Sequence, residues 1–130
     1  MSARDFAKIG VLIVQNGTWK NRQVISESWI DRSLSDFTEF SDEVAKMNYP
    51  FDAFAYSWWI DKDNNTVWAD GYGGQFLCID RENKLVVLQR NFTDNSLLSS
   101  GLFLMDKNRD NNPRSDLIQV YELILNHTAN

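Results

Sequence analysis

The chain has 130 residues, of which 43% are hydrophobic and 13% aromatic, and 18 acidic residues against 13 basic ones give it a formal net charge of −5. This composition excludes a disordered or collagen-like chain, and the acidic balance argues against a nucleic-acid partner, which would require a basic face. No apolar run approaches the roughly 20 residues of a membrane span, and no signal peptide is visible.

Two helices are predicted in the N-terminal part of the chain. Ser2 is a typical N-cap, and the apolar residues that follow it recur at helical spacing until Asn16-Gly17 stops the pattern. Ser26 predicts a second N-cap, for a helix from about Glu27 to Leu34 that buries Trp29, Ile30 and Leu34. We expect a turn or a brief strand between the two helices, at 19–24.

Residues 36–54 show no clean period, and their scattered aromatic residues predict an irregular aromatic loop. From Ala55 onward, the pattern favours three or four short antiparallel strands joined by turns. The predicted strands are Ala55–Ile60, Thr66–Ala69, Gln75–Asp80 and Leu85–Gln89. The chain then predicts a terminal helix over 114–127, whose apolar stripe consists of Leu117, Val120, Tyr121, Ile124 and Leu125.

These elements predict one α+β domain over 1–130, with two N-terminal helices and a C-terminal helix packed on an antiparallel β-meander. Its parts are a helical part at 1–35, the aromatic loop at 36–54, the meander at 55–90 and the terminal helix at 114–127. The chain has one cysteine, Cys78, and one histidine, His127. We therefore expect no disulfide, no metal site and no cofactor.

The strongest local feature is the glycine-rich segment 69–75, Ala-Asp-Gly-Tyr-Gly-Gly-Gln, between two predicted strands. One interpretation is a turn or bulge that needs the conformational freedom of glycine. The other is a strand edge whose N–H groups face a ligand, as in an oxyanion hole. Spacing alone leaves both open.

Other candidate residues favour structural roles. Trp58, Trp59 and Trp68 are predicted to pack across strands in the core, with Trp58 and Trp59 on opposite faces of the sheet. The alternative is an exposed platform that these residues form with Tyr72 for a ligand or a partner. The pairs Asp61/Asp63 and Asp106/Asp110 are interpreted as solvated turn acids rather than calcium ligands. Cys78 alternates within an apolar strand and is predicted to be buried.

Two stretches carry a family resemblance. The first runs from Ser2-Ala3-Arg4-Asp5-Phe6 through Gly17-Thr18-Trp19 to the Ser26 helix. The second runs from Tyr56-Ser57-Trp58-Trp59-Ile60 through the glycine-rich segment to Asp80-Arg81-Glu82-Asn83. Together they resemble the serine β-lactamase-like hydrolases, which include class C β-lactamases, penicillin-binding-protein-type esterases and 6-aminohexanoate-dimer hydrolases. The resemblance covers most of 2–90, in the family's order.

The resemblance implies a role for each residue of the glycine-rich segment. Gly71 matches the glycine of the family's third active-site motif, and the N–H of Tyr72 would complete the oxyanion hole. Gly73 and Gly74 match the pair that keeps the strand edge open to substrate. Ala69, Asp70 and Gln75 would contact substrate, and Ala69 stands where many members carry Lys or His.

The family's catalytic motifs are missing from this chain. No Ser is followed by Lys three positions later, and no Tyr is followed by Asn two positions later. The resemblance therefore implies the C-terminal portion of an acyl-serine hydrolase of amides, esters or lactams, inactive by itself. It also implies a small acyl substrate for the full-length protein, a missing N-terminal portion and self-association. The alternatives are a non-catalytic binding domain and a pseudoenzyme. Family members are often exported, but nothing in this chain indicates its compartment.

Overall fold

The computed structural model describes residues 1–47, 50–71, 74–90 and 113–128, with the backbone alone at 113–116 and 128. In chain order the elements are α1 (Ala3–Val14), β1 (Thr18–Trp19), β2 (Arg22–Gln23), α2 (Glu27–Ser35), β3 (Thr38–Glu39), α3 (Asp42–Met47), β4 (Ala53–Ala55), β5 (Trp58–Asp61), β6 (Thr66–Gly71), β7 (Gln75–Asp80), β8 (Leu85–Arg90) and α4 (Pro113–Thr128).

Both predicted N-caps are confirmed. The Ser2 hydroxyl accepts a hydrogen bond from the Asp5 N–H at 3.1 Å, and the Ser26 hydroxyl accepts one from the Trp29 N–H at 3.3 Å. Each bond satisfies a donor that the first turn of a helix leaves without a partner. Hydrogen bonds from Lys8 and Ser2 also lower the pKa of Asp5 to about 2. The boundaries of α1 and α2 are therefore set locally, by single side chains.

The face that α2 buries was predicted only in part. Ile30 and Leu34 are buried against the sheet, as expected. Trp29 is instead 45% exposed, and its ring meets the ring of Tyr56 edge-on at 5.2 Å between centroids. Adjacent helical residues point about 100° apart. Because Ile30 faces the sheet, Trp29 cannot face it as well and lies at the surface.

The main sheet has six strands in the order β3-β4-β5-β6-β7-β8, with all neighbours antiparallel, and is larger than the three or four strands expected. A separate two-stranded sheet pairs β1 with β2. The prediction of an irregular loop over 36–54 was wrong, because β3, α3 and the first two residues of β4 lie within this range. β3 and β4 have only two and three residues, too few to show an alternating pattern in sequence.

The predicted strand Ala55–Ile60 is two strands joined by a tight turn. Ala55 pairs with Trp58, and the two residues between them, Tyr56 and Ser57, have φ of +46° and +74°. Positive φ at both central residues is the signature of a type I′ hairpin turn, which usually carries Asn-Gly or Asp-Gly. Tyr-Ser gives no such signal, so the turn between β4 and β5 could not be predicted from the sequence.

Both faces of the six-stranded sheet are covered. On one face, Ile13 of α1 and Ile30 and Leu34 of α2 pack on Leu77 and Ile79 of β7. α1 comes so close to β8 at Gly10 that a Cβ there would lie 2.6 Å from Cγ1 of Val86. Position 10 therefore admits only glycine unless a neighbour shifts.

The opposite face carries the terminal helix. Leu117 and Tyr121 of α4 are buried in a cluster with Phe51, Trp68, Phe76, Cys78 and Val87. Val120, predicted to lie in the buried stripe, is 45% exposed. The expected α+β class is confirmed, with the C-terminal helix on one face and the two N-terminal helices on the other. None of the described helices combines the length and apolar character that crossing a membrane requires.

Candidate functional site

The end of β6 extends past its pairing with β5. β6 pairs with β7 from Val67↔Ile79 to Gly71↔Gln75, whereas its ladder with β5 ends at Trp59↔Trp68. The segment Ala69–Gly71 is therefore held on one side by β7 and lies beyond the β5 ladder on the other. This offset places the last residues of β6 at a step in the sheet edge.

Glycine is favoured at two described positions of this hairpin. A Cβ at Gly71 would lie 3.2 Å from the Gln75 Cβ and 3.3 Å from the Gln75 carbonyl oxygen, closer than ordinary contact. Gly74 has φ of +77°, in the left-handed region. These observations support the turn interpretation and are compatible with close approach of a ligand. Tyr72 and Gly73 lie outside the described residues.

Three of the predicted substrate-binding side chains are described. Ala69 packs against the cluster under α1 and α2, so a longer side chain at this position would point toward that face. Asp70, the next residue in the strand, points to the opposite face by alternation. The Gln75 side-chain oxygen accepts a hydrogen bond from Nε of Arg90 at 2.9 Å. The structure thus brings Gly71, Gly74 and Gln75 together and separates Ala69 from Asp70.

The tryptophans serve mainly as packing residues. Trp68 is 1% exposed, and its Nε1–H donates to the Thr66 hydroxyl at 2.7 Å. Trp58 and Trp59 are half-buried on opposite faces of the sheet, as predicted. A platform that includes Trp68 is therefore wrong. Trp29 and Tyr56 form an exposed aromatic pair, which sequence reasoning missed because Trp29 was assigned to the core.

Cys78 is not a candidate nucleophile. It is 1% exposed, as predicted, and burial, aided by the carboxylates of Asp80 and Asp61, raises the pKa of its thiol above the usual range. A thiol in this environment stays protonated and unreactive. Within the described segments, no cluster of three His, Cys, Asp or Glu residues is arranged to hold a metal ion.

The interpretation of Asp61 as a solvated turn acid was wrong. Asp61 and Asp80 are each 1% exposed, on the sheet face that α4 covers. The Asp61 carboxylate accepts hydrogen bonds from the Asn64 N–H at 3.0 Å and the Asn64 amide at 2.9 Å, and burial raises its pKa. Asp63 is exposed, as expected, and Asp106 and Asp110 lie outside the described residues.

A cavity of about 530 Å³ lies at the other end of β6, between α2 and the sheet. Residues of α2, β5, β6 and β7 line it, together with the turns that follow β5 and β7. Sequence reasoning missed it because its wall combines residues more than 40 positions apart in the chain. Gly71 and Gly74 do not line this cavity, so the molecule has two separate candidate regions.

The sequence was compared with models of known protein families and with curated proteins. No family model matches it, and no curated protein matches it.

Proposed function

We propose that this chain is the C-terminal part of a β-lactamase-related serine hydrolase, which cleaves an amide, ester or lactam through an acyl-serine intermediate. The observation that carries the proposal is the step at the end of β6. There Ala69–Gly71 extends past the β5 ladder and leads into a hairpin that favours glycine at 71 and 74. A strand edge of this kind can present N–H groups to a developing oxyanion.

Most residues of the hairpin have a role in this proposal. The N–H of Tyr72 supplies one donor of the oxyanion hole, and Gly71 and Gly73 allow the substrate carbonyl to come close to the backbone. Gln75 lies on the same sheet face as Ala69 and contacts the rest of the substrate, whereas Asp70 points to the opposite face. Ala69 adds no charge, so binding relies on the backbone, on Gln75 and on groups outside this chain. The acyl substrate is a small molecule.

The nucleophile and its base come from the missing N-terminal portion. Acyl transfer needs a serine with a proton acceptor within hydrogen-bond reach, and the family pattern Ser-x-x-Lys is absent from these 130 residues. Ala69 faces the side of the sheet that α1 and α2 cover, so the nucleophile would approach from that side. We therefore expect no acylation of this chain alone.

The coding DNA upstream of Met1 provides the first test. The proposal expects an open frame that encodes Ser-x-x-Lys and then Tyr-x-Asn, and it expects the longer product to be labelled by a fluorophosphonate or a fluorescent penicillin. Gly71→Ala in that product should slow labelling by about a hundredfold, because its Cβ would press on Gln75 and shift the hairpin that carries the proposed oxyanion donor. Lys84→Ala, in a distant turn, is the control. An in-frame stop just upstream of Met1 would overturn the proposal.

A non-catalytic binding domain, including a pseudoenzyme, is the second candidate, and the exposed pair of Trp29 and Tyr56 favours it. Their rings meet edge-on at 5.2 Å, and each side chain is nearly half exposed. Exposed aromatic pairs are common at binding surfaces. Ligand-dependent quenching of tryptophan emission, abolished by Trp29→Phe, would support this candidate. Unchanged emission with every ligand tested would count against it.

We also propose that the isolated chain self-associates. Val120 and Leu123 on α4 are 45% and 59% exposed, and they border an apolar concavity that Ile124 and His127 complete. Apolar helix surface of this kind favours association. Light scattering should give a mass above 15.1 kDa at high concentration. The double variant Val120→Gln, Leu123→Gln should shift it toward the monomer. A monomer for the unmodified chain would contradict the proposal.

A further inference from the structure

The cavity beside α2 has an apolar floor built from one cross-strand row. Ile60 pairs with Val67, and Val67 pairs with Ile79, on the sheet face that α1 and α2 cover. Leu34 of α2 and Phe37 complete the apolar lining. The volume of about 530 Å³ is within the usual range of sites for small molecules, which are mostly apolar with a few polar groups.

Two cations lie at the rim of this cavity. Nη2 of Arg81 donates to the side-chain oxygens of Asn16 and Asp31, at 2.8 Å each, and these two bonds fix the guanidinium in place. In the described part of the chain, no group accepts from its Nε or Nη1. Nζ of Lys62 donates to Glu39 at 2.9 Å, a bond that raises the pKa of Lys62. Both side chains are therefore charged, and both retain donors for a ligand.

The acidic residues of the lining do not cancel these charges for a ligand. Asp31 is paired with Arg81. Asp61 is 1% exposed, and Asn64 donates to both of its carboxylate oxygens from the turn. Glu39, the partner of Lys62, lies outside the lining. Within the lining, an anionic head group thus meets no exposed, unpaired carboxylate; Asp52 and Asp63, which also interact with Lys62, lie outside the lining.

We propose that this cavity binds a medium-chain aliphatic carboxylate. The chain lies on Ile60, Val67 and Ile79, and the carboxylate lies between Lys62 and Arg81, where charge-assisted hydrogen bonds hold it. The apolar floor favours a hydrocarbon body over a polar one. This inference does not depend on the hydrolase proposal, because the cavity is at the opposite end of β6 from Gly71.

Titration of the full chain with octanoate, followed by methyl NMR, tests the site. We expect shifts at the methyl groups of Leu34, Ile60, Val67 and Ile79 and none at Val120 or Leu123 of α4. Octanol and octylamine should bind at least about tenfold more weakly than octanoate, because neither can accept charge-assisted bonds as an anion does. Equal affinity for octanol, or no shift at the floor residues, would overturn the proposal.

A matched pair of variants isolates the charge of Lys62. Lys62→Gln should weaken octanoate binding about two- to fivefold, the upper part of the range for an exposed ion pair, and should leave octanol binding unchanged. Lys8→Gln is the control, since Lys8 also forms an exposed ion pair, with Asp5 at 2.6 Å, but lies on α1 away from the cavity. Equal octanoate affinity in the two variants would contradict the proposed position of the head group.

Val67→Thr provides a second measurement that keeps the shape of the floor. It places a hydroxyl under the bound chain, and we expect octanoate and octanol to lose affinity together, about three- to tenfold, because the apolar contact is reduced. Unchanged affinity for octanoate would show that the ligand does not lie on β6, which would overturn the proposal.

Discussion

The hairpins β5–β6 and β7–β8 are closed by the same turn but place their carboxylates in different surroundings. The sequence Asp-x-x-Asn occurs at 61–64 and again at 80–83. In each turn, the Asn N–H donates to one aspartate oxygen, at 3.0 and 2.8 Å, and the Asn amide donates to the other, at 2.9 and 2.7 Å. Both carboxylates are 1% exposed. The local geometry is thus the same in the two turns.

The difference lies in a third donor. The Tyr121 hydroxyl of α4 donates to the Asp80 carboxylate at 2.7 Å, whereas the hydroxyl nearest to Asp61, that of Thr66, is 3.5 Å away. Burial acts to raise the pKa of both acids. Burial acts more strongly on Asp61, whose pKa stays raised, whereas the bonds from Asn83, Tyr121 and the Glu82 N–H outweigh burial at Asp80 and lower its pKa. The balance between burial and good donors decides whether a buried carboxylate favours its charge.

The largest expected effect comes from removing each carboxylate in turn. Asp80→Ala should lower the free energy of unfolding by about 3 kcal/mol, because it leaves the buried Tyr121 hydroxyl and two Asn83 donors without an acceptor. Asp61→Ala removes the matching turn bonds without stranding a tyrosine, and should cost about 1–2 kcal/mol. Urea unfolding of both variants gives the two values. Equal losses would contradict a special role for the bond between α4 and the sheet.

The next prediction concerns the hydrogen bond between Tyr121 and Asp80 alone. Tyr121→Phe should cost about 1–2 kcal/mol, since it removes a buried hydrogen bond to a carboxylate and keeps the packing of the ring. Tyr56→Phe is the matched control, because the Tyr56 hydroxyl donates to Asp36 at 3.3 Å on the surface, and it should cost under about 0.5 kcal/mol. A cost for Tyr121→Phe no greater than that of the control would show that packing alone holds α4.

The two acids should also give opposite pH dependence. The lowered pKa of Asp80 means that its contribution to stability is present above the unfolded value of 3.8 and is lost as pH falls through its folded value. Asp80→Asn should therefore cost more at pH 7 than at pH 3. The raised pKa of Asp61 means that ionisation opposes folding as pH rises above 3.8.

Asp61→Asn should accordingly cost less at pH 7 than at pH 3, because the amide keeps an acceptor for the Asn64 N–H and never ionises. Chemical unfolding at both pH values, with the unmodified chain in parallel, gives the sign for each position. The same sign for both variants would mean that Tyr121 does not distinguish the two carboxylates.

The same turns show what could be predicted from the sequence. Both were predicted as turns because the signal is local, as were the caps at Ser2 and Ser26. The burial of Asp61 and Asp80 was not, since it depends on residues far along the chain, such as Tyr121, which is 41 positions from Asp80. β3 and β4 were missed for a similar reason: strands this short owe their existence to pairing with distant neighbours.

Of the two candidate functional regions, one could be predicted from the sequence and the other could not. The glycine pattern indicated the hairpin at Gly71 and Gly74, because the backbone conformation of a turn depends on the types of a few adjacent residues. The cavity beside α2 gave no sequence signal, since Leu34, Ile60 and Ile79 become one surface only when helix and strands pack. Turns can be predicted from local sequence, whereas the wall of a cavity can be identified only from the tertiary structure.

The smallest expected effect concerns the last residue of each turn. Asn65 and Lys84 precede β6 and β8 with φ of +52° and +54°, in the left-handed region. Asn tolerates this region better than Lys, because its short polar side chain can form local hydrogen bonds. Lys84→Gly should therefore stabilise the chain by about 1 kcal/mol, and Asn65→Gly by no more than about 0.5 kcal/mol. Thermal unfolding of the two variants at neutral pH measures the difference. A larger gain at Asn65 would mean that the two turns differ in backbone strain as well as in the surroundings of their carboxylates.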